Sequence, residues 1–132
     1  MVKFSAKEIK FLEANEACRV ATSADDEPHI APVTYYFEDG HFYFATDYDT
    51  KKYLNLKKNN KLAILVDIYS PGKHKAIAVQ GSTDFIEKGI EFKRLYDIFY
   101  KKFAWVKAMP WKEGEAPFVK ITPKKKVSWG IG

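Results

Sequence analysis

The chain has 132 residues, with 22 lysines and arginines against 17 acids for a formal net charge of +5, and 16% of its side chains are aromatic. That length fits one domain, 1–132, able to bury a core of its own without staples. The single cysteine, Cys18, excludes an internal disulfide and a cysteine-based zinc site. Residues 1–11 alternate charged and apolar side chains, which excludes a signal peptide or membrane span there and makes the cytoplasm the expected location.

Ser5-Ala6-Lys7-Glu8 has the form of a capping box ahead of Ile9, Phe11 and Leu12, and predicts a helix from about Ser5 to Asn15. Cys18 to Thr22 reads as a short strand ending in a turn at Asp25-Asp26-Glu27. Pro28 to Phe37 is β-branched and aromatic, and Glu38-Asp39-Gly40 turns it into the strand His41 to Thr46. These three strands are expected to form an antiparallel meander. Thr50 to Asn59 reads as a short helix, and Leu62 to Val66 as a strand apolar on both faces. Ser70 to Lys73 turns into a long strand, Lys75 to Ile86, in which Gly81 marks a bulge or bend.

Ile90 to Phe103 has the period of an amphipathic helix. Ala104 to Ala116 carries Trp105, Met109 and Trp111 without a regular period; of two readings, a lid over a ligand and a hydrophobic loop packed on the barrel, the packed loop is expected. Phe118 to Ile121 and Val127 to Trp129 read as two terminal strands, separated by Thr122-Pro123 and three lysines. Turns this short do not support parallel crossovers. The predicted fold is therefore mainly β: an antiparallel split barrel of six to seven strands with flanking α-helices. Leu62 to Val66 and Phe42 to Ala45 offer apolar side chains to both faces, so a second copy is expected to cover the outside, giving a homodimer.

Most catalytic templates are missing: no G-x-S-x-G elbow, P-loop or G-x-G-x-x-G fingerprint occurs. His29, His41 and His74 are scattered, so no metal site is expected, and no catalytic acid or base is assigned. One segment carries chemistry. Thr46 to Leu56 places the hydroxyls of Thr46 and Thr50 and the ammonium groups of Lys51 and Lys52 at the mouth of a short helix. Free amides there favour an anion, giving a phosphate cradle. The same residues equally suit a solvated helix start with Thr50 as its cap.

Around this segment the chain resembles the FMN-binding split-barrel proteins related to pyridoxamine-phosphate oxidase. The resemblance rests on Pro32-Val33, Phe44-Ala45-Thr46, Thr50-Lys51-Lys52 and Asn55-Leu56, and continues through Val79-Gln80-Gly81, Ile121-Thr122-Pro123 and Val127-Ser128-Trp129-Gly130. It implies an FMN-dependent oxidoreductase whose small-molecule substrate and electron donor are left open. By position, Thr50, Lys51 and Lys52 would hold the FMN phosphate, and Ala45 and Thr46 would lie along the ribityl chain and phosphate. Val33, Thr34 and Tyr35 would line the isoalloxazine through backbone bonds, and Trp129 would reach the flavin of the other subunit. Ala76 falls near the family's flavin-contacting Gln, and no Arg and His segment follows Trp129; both speak against the pyridoxamine-phosphate reaction itself. Two other readings stay open: the same barrel holding a deazaflavin, and a non-enzymatic nucleic-acid module. The second is disfavoured by only two arginines, Arg19 and Arg94, among the basic residues. No membrane partner is expected.

Overall fold

The computed structural model describes Met1–Gly132. The capping box forms: Ser5 Oγ accepts from the Glu8 amide at 3.1 Å and Glu8 Oε1 accepts from the Ser5 amide at 2.8 Å, starting α1 (Ala6–Ala14). Strands β1 (Ala17–Ala24) and β2 (Glu27–Thr34) pair through a tight turn at Asp25 and Asp26, both at positive φ. β3 (Tyr36–Glu38) and β4 (His41–Ala45) pair in the same way, with Asp39 and Gly40 supplying the left-handed turn that matches strand twist.

Pro28–Phe37 is not one strand. The chain breaks at Tyr35, whose ring is buried, whose hydroxyl donates to the Leu12 carbonyl at 2.6 Å and whose amide donates to the Glu16 carbonyl. The break separates the two hairpins, so the expected three-stranded meander does not form. Instead α2 (Lys51–Lys58), β5 (Lys61–Ile68), β6 (Lys75–Ile86), α3 (Gly89–Lys102), α4 (Ala104–Ala108) and β7 (Phe118–Trp129) follow. The seven strands form one antiparallel sheet in the order β2-β1-β5-β6-β7-β4-β3, curled into a half-barrel. α4 occupies the start of the segment read as a loop.

The two expected terminal strands are one. β7 runs unbroken because a bulge absorbs the Pro and Lys cluster: Gln80 lies opposite Lys125 and Gly81 opposite Pro123, leaving Lys124 as the extra residue. Gly81 is required there, since a Cβ would sit 2.6 Å from the Thr122 carbonyl oxygen.

Two apolar clusters result. Val20, Phe42, Phe44, Ile77, Val79 and Ile121 fill the barrel under α1. Phe92, Leu95 and Phe99 of α3 pack on Tyr43 and Phe118 from the other side of the sheet. The second apolar face of β4 is thus covered by the chain's own helix, and needs no partner. β5 differs: Leu62, Ile64 and Val66 point inward, while Ala63 and Leu65 are only half-covered on the outside.

Candidate functional site

Where β2 and β4 end, the chain opens a cleft of about 820 Å³, within the range of small-molecule sites. One wall is Pro32, Val33 and Thr34 from the end of β2. The floor at one end is Ala45, Thr46 and Asp47, continuing into Thr50 and Lys52 at the mouth of α2. The opposite wall comes from the segment after α3: Trp105, Met109, Pro110 and Trp111, then Glu115 and Ala116.

The helix mouth is tightly built. Thr46 Oγ1 and Thr50 Oγ1 are 2.7 Å apart, and Thr50 Oγ1 donates to the Asp47 carbonyl at 3.0 Å. Thr50 caps α2 by accepting from the Tyr53 amide at 3.3 Å, and its carbonyl accepts from Leu54. That leaves the amides of Lys51 and Lys52 facing outward without an acceptor in the chain. Lys52 is half-buried against the cleft. Desolvation lowers its pKa, and the nearby Asp47 carboxylate works against that shift. Lys51 points elsewhere, 3.8 Å from Glu27 with its side chain half-exposed.

At the other end the surface is flat and apolar. The Trp105 indole donates to Thr34 Oγ1 at 3.1 Å, tying the aromatic segment to the β2 wall. Its ring lies parallel to that of Trp111, centroids 5.8 Å apart. Trp111 also packs edge-on against Tyr96, and its indole N–H is buried without a partner. Two carboxylates, Asp47 and Glu115, stand on the rim; Glu115 Oε1 accepts from the Lys112 amide at 2.6 Å.

Six of the residues singled out in the sequence therefore share this cleft: Val33, Thr34, Ala45, Thr46, Thr50 and Lys52. Three lie apart from it. Tyr35 turns its side chain into the core. Lys51 faces Glu27. Trp129 stands half-exposed on the outer face of β7, opposite Ala76. Trp105, Met109 and Trp111, for which the sequence favoured a packed loop over a lid, line the cleft. Their one signal was an aperiodic segment rich in Trp, Met and Pro between a helix and a strand, where functional loops concentrate. The segment packs on the sheet, as expected for a hydrophobic loop, and also walls the cleft.

The family model described as pyridoxamine 5'-phosphate oxidase matches residues 5–129. No curated protein matches the chain in sequence. Solved structures with the same fold include the heme storage protein HutZ of Vibrio cholerae, with a TM-score of 0.84 and 11% identity over 99% of this chain and 98% of that one. An FAD-binding protein of Mesorhizobium loti has a TM-score of 0.78 and 23% identity over 95% and 94% of the two chains. A heme-binding protein of Mycobacterium smegmatis has a TM-score of 0.78 and 17% identity over 98% of this chain and 56% of that one. Identities this low carry the fold and nothing finer.

Proposed function

Because the chain belongs to the pyridoxamine 5'-phosphate oxidase family, we propose that its cleft holds flavin mononucleotide and that the protein is an FMN-dependent oxidoreductase. The observation that carries this reading is the polarity of the cleft. One end offers the free amides at the start of α2 and the Lys52 ammonium, a donor set suited to a phosphate, framed by the Thr46 and Thr50 hydroxyls. The other end offers Val33, Trp105 and Trp111, flat apolar surfaces suited to a fused ring. A phosphorylated planar cofactor fits that asymmetry.

When bound, the flavin supplies hydride and electron transfer. The residues' part is to bind, orient and keep dry. Lys52 and the α2 amides fix the phosphate end, while Thr46 and Thr50, already bonded to each other, hold the mouth rigid. Trp105, tethered to Thr34, excludes water from the ring end. Substrate selection falls to the shape of the cleft and to the Asp47 and Glu115 carboxylates on its rim. A second copy of the chain completes the site, its Trp129 approaching from the outer face.

Heme is the competing ligand among proteins of this fold. Heme iron is held by a His, Cys, Met or Tyr side chain, and the cleft presents no His, Cys or Tyr. Only Met109, 73% exposed, has a suitable donor atom. The donor set therefore favours the flavin.

Titration of the purified protein with FMN tests the reading. The expected outcome is saturable binding, with the flavin fluorescence and the emission of Trp105 and Trp111 quenched together. Failure of FMN to bind, with tight uptake of a deazaflavin or of heme instead, overturns it.

A further inference from the structure

One wall of the cleft is continuous with the outer face of the sheet. Directly opposite residues on neighbouring strands share a face, and one such row runs Pro32, Arg19, Leu65, Ala78, Val127 across β2, β1, β5, β6 and β7. Pro32 lines the cleft at one end of the row, and exposed Val127 closes the other. β2, β5 and β7 run the same way, so Thr34 and Trp129, each two residues further on, stand on that face at the same end of the sheet. Thr34 belongs to the cleft wall, whereas Trp129 of the same chain, four strand spacings or roughly 19 Å away along the sheet, does not line it.

The β5–β6 hairpin brings two more rings to that end. Tyr69 is 78% exposed and stacks on His74, with centroids 4.1 Å apart and planes 19° from parallel. The turn between them is closed by the Lys73 amide donating to the Ser70 carbonyl at 2.8 Å. The hairpin is seated on the end of β7. A Cβ at Gly130 would lie 1.8 Å from the His74 carbonyl oxygen, so only glycine allows the two backbones to approach this closely. Trp129, Tyr69 and His74 therefore form one exposed unit.

We propose that the partner's Tyr69 and the partner's His74 complete the ring end of the cleft, beside the partner's Trp129. This rests on the reading of the cleft as a flavin site closed by a second copy. A two-fold interface is isologous: what one copy presents, the other receives. An axis along the strands near β5, the middle of the row, lays the Val127 side of each copy over the Pro32 side of the other and keeps like ends of the sheets together. The partner's His74 then arrives at Thr34, where Trp105 is tethered. The cleft's own lining has no His or Tyr. An imidazole both donates and accepts hydrogen bonds, which supplies a polar contact to an otherwise apolar ring end.

Fluorescence titration with FMN, alongside light scattering, tests the proposal. His74→Ala is expected to stay dimeric and to weaken FMN roughly tenfold, through loss of a stacked ring and a hydrogen bond. Should it dissociate, His74→Phe keeps a stacking ring without the hydrogen bond and serves the same comparison. The decisive sample is a mixed dimer, isolated with two affinity tags, of one Lys52→Ala subunit and one His74→Ala subunit. If the imidazole crosses the interface, one site carries both defects and the other neither, and half the sites bind FMN with parental affinity. If His74 serves its own subunit, each site carries one defect and no parental site appears, which overturns the proposal. Unchanged FMN affinity in a dimeric His74→Ala or His74→Phe variant overturns it as well. A parent protein that is monomeric, binds no FMN, or takes up heme in a manner lost with His74→Ala overturns the underlying reading and this one with it.

Discussion

Lys51 and Lys52 are neighbours in sequence, but their surroundings differ. Lys52 is half-buried beside the α2 mouth, where burial lowers its pKa; Lys51 is half-exposed and faces Glu27. A charge-assisted hydrogen bond in a sheltered site contributes about 1.5–3 kcal/mol, whereas an exposed pair contributes under about 1 kcal/mol. Lys52→Ala is therefore expected to weaken FMN by roughly ten- to a hundredfold, and Lys51→Ala by a few-fold at most. Riboflavin, lacking the phosphate, should hardly respond to either change. Fluorescence titration of both ligands against both variants checks this, and equal losses for FMN and riboflavin would remove Lys52 from the phosphate. The paired lysines were visible in the sequence as a unit. Their division was not, because it depends on Glu27, which the β1–β2 turn brings beside Lys51. The ring of Tyr35 shows the same limit: periodicity along β2 carries no sign that it turns inward to reach the Leu12 carbonyl.

At the scale of elements, α1 is fastened to β7 through one buried ion pair. Glu8 is 6% exposed and accepts from Lys126 Nζ at 2.7 Å; that ammonium also donates to the Lys3 carbonyl and lies 5.1 Å from the centre of the Phe4 ring. Burial pushes the Glu8 carboxyl upward, but hydrogen bonds from Lys126, the Ser5 amide and Ser128 outweigh it and hold the pKa at about 2. The folded state favours the charged form, so the stabilisation is complete above about pH 4.5 and is lost as pH falls toward 2. Up to about 3 kcal/mol depends on this group. Denaturant melts from pH 6 to 2.5 should show a stability loss in the parent that Glu8→Gln lacks, the variant being less stable at pH 6. Parallel curves would exclude Glu8 as the titrating group. The capping box, both hairpin turns and the Gly81 irregularity were legible in the sequence, because each is local chemistry. The unity of β7 was not, since a bulge interrupts the pattern with the same residues that separate two strands. The partner of Glu8 was equally hidden: it lies 118 residues away.

For the whole molecule, the outer face of the sheet is the open question that packing poses. Leu65, Ala78 and Val127 stand side by side across β5, β6 and β7, and Val127 is 62% exposed. Trp129 and Ile30 extend the same surface. A second copy seated there is the proposed dimer, and a permanent homodimer buries about 2,000 Å² or more. Light scattering should then give twice the 15.2 kDa chain mass, and Val127→Glu should shift it toward the monomer without changing the far-ultraviolet spectrum. A monomeric parent protein at micromolar concentration would rule the dimer out. The barrel class followed from strand count and turn length, which are sums over the chain. Strand order did not, because nothing in β3 or β4 announces that they pair beside the last strand rather than the second.

That strand order also dictates when the molecule is able to exist. β7 alone joins the β2-β1-β5-β6 half of the sheet to the β4-β3 hairpin, pairing with β6 along one edge and β4 along the other. It is also the last of the seven to be synthesised. Until it leaves the ribosome, Phe42, Phe44 and Ile77 have no common interior, and the edges of β4 and β6 stand open to foreign strands. The nascent chain therefore spends most of its synthesis as two unclosed pieces, and closure is a single late event that depends on one strand.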